Sequence, residues 1–289
     1  VHLSNALLLG LAYRLRHDLG ARVVCSLQDE NEWIDEMETS QQPAVWGLMG
    51  DKAEFVDSFI ATSQYYSKRS QREMSIPAEK IQVINGGVNL EGYQRSALPF
   101  EPPVIGYLCR MSENFGFGIV VDAFLKLKKD SRFKDLKLFV TGGYTSLDKP
   151  FVDTKVKKIK DRGVDKDFKI FPAFDKSSRI EFLKSLTLLS VPVPSGEAFG
   201  AYQVEALAAG VPVVQPNVGC YPEFVEATKG GIIYEPNDPH TLAQAFSSLL
   251  IDPDRVRTMG EQGNKVVMER NTMAGMANSI VNIYENLLG

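Results

Sequence analysis

Residues Ser195 to Val214 read SGEAFGAYQVEALAAGVPVV. An apolar run, Leu188 to Val193, leads into them and predicts a strand; Pro194, Ser195 and Gly196 interrupt it, and a helix is expected from about Gly200 until Gly210 stops it. Strand, loop, helix and a further apolar run follow one another. A helix whose first turn holds Phe199, Gly200 and Ala201 presents backbone N–H groups that the helix itself cannot bond, and small side chains let a phosphate come close. An anion site is the chemical use that such an arrangement suggests.

Two carboxylates frame it, Glu197 in the loop and Glu205 inside the helix, with seven residues between them. An acid placed among Ala206, Leu207 and Ala208 needs a polar partner if it is buried, and the neutral hydroxyls of a sugar or ribose suit it better than another anion. The plainer alternative makes Glu197 a charge favoured by the helix dipole and Glu205 a solvated helix residue.

The stretch EAFGAYQVEALAAGVPVVQ resembles the Glu-x7-Glu signature of the retaining nucleotide-sugar glycosyltransferases of the GT-B fold (family GT4, glycosyl transferases group 1), and the likeness runs on through Gly219, Pro222, Glu223 and GGIIYEPNDPHTLAQAF. The resemblance implies an α/β protein of two Rossmann-like domains facing a cleft, the first incomplete here because the family places further strands and a glycine-rich loop ahead of this point. It assigns Glu197 to the sugar, Glu205 to the ribose hydroxyls, and Phe199, Gly200 and Ala198 to the distal phosphate. It also implies transfer with retention, without metal or other cofactor, from a UDP-, GDP- or ADP-linked sugar. The acceptor would be a sugar, a lipid-linked or a polysaccharide hydroxyl, in glycan or cell-envelope synthesis.

A chain of 289 residues with 44% hydrophobic content is long enough for two cores. The divisions expected are 1–98, 99–271 and a helix over 272–289 that crosses back to the first domain. A net charge of −4, with no basic run interleaved with aromatics, argues against nucleic acid. Cys25, Cys109 and Cys220 lie far apart and read as reduced, buried thiols, which fits a cytoplasmic setting. No apolar run is long enough to span a membrane and no signal peptide is seen; a peripheral membrane contact stays open.

Before the linker, apolar Leu8, Leu11, Ala12, Leu15 and Leu19 predict one helix face over Ala6 to Leu19. Strands are expected at Arg22–Leu27, Ser58–Ala61 and Ile81–Ile84, with helices over Asp35–Phe55, broken near Pro43, and Ser63–Met74. This alternation reads as a parallel, Rossmann-like layer. By resemblance His2 stands at a strand tip facing the cleft and joins the candidate catalytic residues, although a lone histidine is more often structural. Gln28 occupies a position where the family commonly has histidine, and it can hydrogen-bond a sugar but not act as acid or base. Asp29 and Glu30 read as loop acids or helix N-terminal charges. Asn85 and Gly86 resemble the family's junction turn, on the acceptor side.

Residues 91–103, with Gly92, Pro99, Pro102 and Pro103, suit a linker. The strand VIGYLCR then ends at Arg110, where the family has the first member of an arginine–lysine pair that clamps the diphosphate; the lysine position is Phe115. Further strands are expected at Leu136–Val140 and Phe168–Phe171. Gly142 and Gly143 match the donor-proximal loop, and Ala173 with Phe174 match the base-binding stretch, where Phe174 is equally a core candidate. Asp165 and Asp167 are not read as metal ligands. Phe115 and Gln28 keep a competing reading open: a nucleotide-sugar-binding module or degenerate homologue without transferase activity.

Overall fold

The computed structural model describes all 289 residues. It is an α/β structure built on two fully parallel sheets, one of four strands and one of six.

The first unit comprises residues 1–87, 197–199 and 271–289. Its sheet holds β1 (His2–Leu3), β2 (Val24–Leu27), β3 (Ser58–Ala61) and β4 (Ile81–Val83), joined by α1 (Ala12–His17), α2 (Asn31–Ile34), α3 (Gln42–Ala53) and α4 (Gln64–Met74). β2 and β3 are buried at every residue, as strands covered on both faces by crossover helices must be. Pro43 does not break a long helix as the sequence suggested. It stands in the first turn of α3, where its missing N–H has no helical partner to lose.

The predicted apolar face of the first helix is also corrected. Ala6–Leu11 is a 3-10 helix that passes into α1 at Ala12, so side chains three apart eclipse one another. Ala6, Leu9 and Ala12 are therefore the buried set, while Leu8, Leu11 and Leu19 are exposed.

The second unit comprises residues 88–196 and 200–270. Its strands are β5 (Val104–Leu108), β6 (Lys137–Thr141), β7 (Phe168–Ile170), β8 (Leu188–Leu189), β9 (Val213–Pro216) and β10 (Gly231–Tyr234). Between and after them come α5 (Phe117–Leu127), α6 (Lys149–Asp161), α7 (Lys176–Lys184), α8 (Ala201–Ala208), α9 (Tyr221–Thr228), α10 (Pro239–Leu250) and α11 (Pro253–Arg270). α12 (Met273–Leu288) returns to the first unit.

From β5 the chain winds outward through β6 and β7, then crosses to β8 and winds the other way through β9 and β10. The order reverses between β5 and β8. In open parallel sheets the loops leaving the carboxyl ends of the strands at such a reversal diverge and open a crevice. The two loops concerned are 109–116, which carries Arg110, and 190–200, which carries the Glu-x7-Glu stretch.

Cys25 and Cys220 are buried free thiols, whereas Cys109 is only half-buried, a small departure from the expectation.

Candidate functional site

In the second unit, backbone contacts draw the loops after β5 and β6 together. Met111 N–H donates to the Gly143 carbonyl at 2.8 Å. Gly142 has φ +119°, and a Cβ there would lie 2.1 Å from the Cys109 carbonyl oxygen, so the sharp approach between these loops requires glycine. Thr141 Oγ1 donates to the Phe171 carbonyl at 3.0 Å and reaches the Ala173 carbonyl at 3.4 Å. Arg110, Gly142, Gly143, Ala173 and Phe174 thus share the carboxyl end of β5, β6 and β7.

Arg110 does not stand open. Its Nε donates to Asp148 Oδ2 at 2.8 Å and its Nη2 to Asp148 Oδ1 at 3.0 Å, a two-pronged pair of the strong, planar kind. The Arg110 hydrogen bonds first, then those from Thr145, hold the Asp148 carboxyl at about 2. Phe115 sits in the same loop, half-buried. Tyr107 Oη reaches the carbonyls of Arg110 and Phe115 at 2.7 and 3.0 Å and pins the loop's path.

Gly200 precedes α8 with φ 68° and ψ 71°, a left-handed conformation suited to glycine. α8 begins at Ala201 directly after Gly200, so the N–H groups of this first turn form a helix N-terminus, where an anion would be favoured.

Inside α8, Glu205 is buried at 7% exposure; this excludes the solvated reading left open above. Its Oε1 accepts from Arg179 Nη2 at 3.1 Å. Arg179 Nη1 donates to the Phe174 carbonyl at 3.0 Å, and its guanidinium lies 5.1 Å from the Phe174 ring centroid. Phe174 itself is 47% exposed, so it is not a core residue. Arg179 and Asp148 were not singled out from the sequence, because each meets its partner from a different strand–helix segment.

The remaining candidates fall in the first unit. Ala198 N–H donates to Asp29 Oδ1 at 2.6 Å, and Thr62 Oγ1 donates to the Ala198 carbonyl at 3.3 Å. Asp29 has φ 52°, and burial, with a smaller contribution from the nearby Glu30 charge, pushes its carboxyl upward against the opposing Ala198 hydrogen bond.

Glu30 stands at the N-terminus of α2 and is not a solvated loop acid: at 1% exposure it accepts from the N–H groups of Ala6 and Gln28 and from Tyr66 Oη. A Cβ on Gly86 would lie 2.6 Å from the Phe199 ring, so the turn and this aromatic pack directly. Glu197 is half-buried, and Gln28 and Asn85 are exposed.

His2 has both ring nitrogens engaged, Nδ1 with Tyr284 Oη at 2.5 Å and Nε2 with Ser26 Oγ at 2.9 Å. Burial lowers its pKa.

Asp167, from the Asp-x-Asp triplet, is bound to Lys128 Nζ at 2.9 Å, and no three acidic, histidine or cysteine side chains converge to hold a metal ion. No helix is long and apolar enough to cross a membrane.

The sequence model for glycosyl transferases group 1 matches residues 93–266. The chain belongs to this family. Among curated group 1 relatives it is similar to the D-inositol 3-phosphate glycosyltransferase of Corynebacterium glutamicum, 22% identical over 244 residues, covering 80% of this chain and 58% of the relative. A shorter stretch is 33% identical over 113 residues to the alpha-maltose-1-phosphate synthase of Mycolicibacterium smegmatis, covering 37% and 29%. The chain spans about half the length of the curated relatives it matches.

Among solved structures, Anabaena HepE in complex with UDP superimposes with a TM-score of 0.85 at 19% identity, over 99% of this chain and 78% of that one. The sucrose-phosphate synthase of Thermosynechococcus elongatus gives 0.82 at 20%, over 99% and 73%. At such identities the likeness speaks for the fold, which is GT-B.

Proposed function

We propose that this group 1 glycosyltransferase transfers a sugar, with retention of anomeric configuration and without a metal ion, from a nucleotide-sugar to the hydroxyl of a sugar, lipid-linked or polysaccharide acceptor. The observation that carries the reading is the buried Glu205, set one turn inside α8 behind its glycine-capped N-terminus. A carboxylate kept from water behind a helix N-terminus matches a ribose diol joined to a diphosphate.

In this reading Glu205 accepts from the ribose hydroxyls, the base lies along Ala173 and Phe174, and the Gly142–Gly143 backbone lets the donor approach closely. The N–H groups of Gly200 and Ala201, with Arg110, take up the charge that grows on the leaving diphosphate, a preorganised electrostatic stabilisation. Glu197 orients the sugar. His2, Gln28, Asn85 and Gly86 serve the acceptor side, where His2, held at both ring nitrogens, acts as an oriented neutral imidazole. Anabaena HepE, whose structures hold UDP and UDP-glucose, supports UDP as the first nucleotide to examine.

A second reading, nucleotide-sugar binding without transfer, is favoured by one observation: the only cation at the arginine–lysine clamp position is Arg110, already neutralised by Asp148. Calorimetric titration with UDP, GDP and ADP, followed by incubation with the matching nucleotide-sugars, separates the two. Release of nucleoside diphosphate with an axial product anomer by NMR, from an axial donor, supports retaining transfer. Binding without release supports the second reading, and absence of any binding removes both.

A further inference from the structure

Arg179 is held by three attachments that belong to different parts of the donor site. It pairs with Glu205, bonds the Phe174 carbonyl, and lies over the Phe174 ring. The pair is sheltered, with side-chain exposures of 23% for Arg179 and 10% for Glu205. Beside it lies the buried Tyr93 hydroxyl, within electrostatic reach of both Glu205 and Arg179. Burial, and then the Glu205 charge, push that phenol upward.

A carboxylate on a helix has free rotation about its last bonds unless something fixes it. Here the planar guanidinium takes Oε1 from one side, which sets the direction in which the second carboxylate oxygen accepts. The same plane holds the residue expected to support the base.

We infer that Arg179 is a positioning residue for nucleotide recognition: it locks the ribose acid Glu205 and the Phe174 platform into one rigid unit, so that discrimination of ribose from 2′-deoxyribose depends on it. The inference rests on the donor-site reading above. Reading a hydroxyl by hydrogen bond is effective only when its partner is already aimed and cannot turn to water, since an unpaired buried group is costly.

The test is calorimetric titration of whichever of UDP, GDP and ADP binds, and of its 2′-deoxy counterpart, to the wild-type chain and to Arg179→Ala, Arg179→Lys and Glu205→Gln, with Tm recorded for each. The wild type should favour the ribonucleotide by about tenfold or more. In Arg179→Ala that preference should fall to about one, as in Glu205→Gln. Arg179→Lys should retain charge and fold yet lose most of the preference, since an ammonium cannot supply the two-nitrogen fork.

If Arg179→Ala does not fold, Arg179→Lys decides alone. A lowered Tm with the preference intact in Arg179→Lys would show the pair to be structural and overturn the inference while leaving the donor site standing. A wild type that binds no nucleoside diphosphate would overturn the donor-site reading and this inference with it.

Discussion

Phe115 replaces an ammonium with a half-buried ring in a loop whose carbonyls are stitched by Tyr107. Because the loop's backbone is held independently of that side chain, Phe115→Lys should fold and add a charge-assisted contact of about 1.5–3 kcal/mol to a diphosphate. UDP affinity measured by calorimetry should rise about ten- to hundredfold, and the gain should shrink in high salt.

Asp29 invites a pH experiment. Its folded carboxyl titrates above its ordinary value of 3.8, so the folded state holds the proton more tightly than the unfolded state. The native state therefore loses stability as pH rises from about 4 upward through the folded pKa. Asp29→Asn keeps an oxygen to accept from Ala198 N–H. Urea unfolding at pH 4, 5.5 and 7 should show a shallower decline for the variant than for the wild type.

Among elements, the 3-10 helix Ala6–Leu11 gives the sharpest contrast, since neighbouring leucines have opposite fates. Leu9 is 1% exposed and Leu8 39%. Leu9→Ala should cost about 2–5 kcal/mol by cavity formation, and Leu8→Ala should stay within about 0.5 kcal/mol; denaturant midpoints at constant slope check both. An α-helical register would have reversed that order, and this was the misreading. Apolar residues at Leu7, Leu8, Leu9 and Leu11 satisfy several periods at once, and only the packing of Ala6 and Leu9 against the core selects one.

Elsewhere the local code was clear. The alternation of strands with helices around β2 to β4 and from β5 to β9 was readable because each strand is a short apolar run bounded by turn residues. The Glu-x7-Glu stretch was readable because loop, helix N-terminus and both acids are contiguous. Arg179 and Asp148 were not, since their bonds to Glu205 and Arg110 span 26 and 38 residues and depend on which strands become neighbours in the sheet. The burial of Glu30 was hidden for the same reason: its partners Ala6 and Tyr66 are brought to it by the sheet.

At the scale of the molecule, two sheets with separate cores predict unfolding that departs from a single two-state transition. Scanning calorimetry should give a calorimetric enthalpy larger than the van't Hoff value. A nucleoside diphosphate that binds the second unit's loops should raise the transition of that unit, and a single transition with equal enthalpies would show the two to be fully coupled.

The first unit is assembled from three separate lengths of chain, of which the last is 271–289. His2 meets Tyr284 across 282 residues, and the Gly87 N–H meets Met276 Sδ across 189. On a ribosome, the amino-terminal strands emerge first but wait for α12, while all of 88–270 is made in between. Synthesis order and completion order are therefore opposed: a nascent chain arrested near Arg270 would carry the whole six-stranded sheet while His2 still lacks its tyrosine.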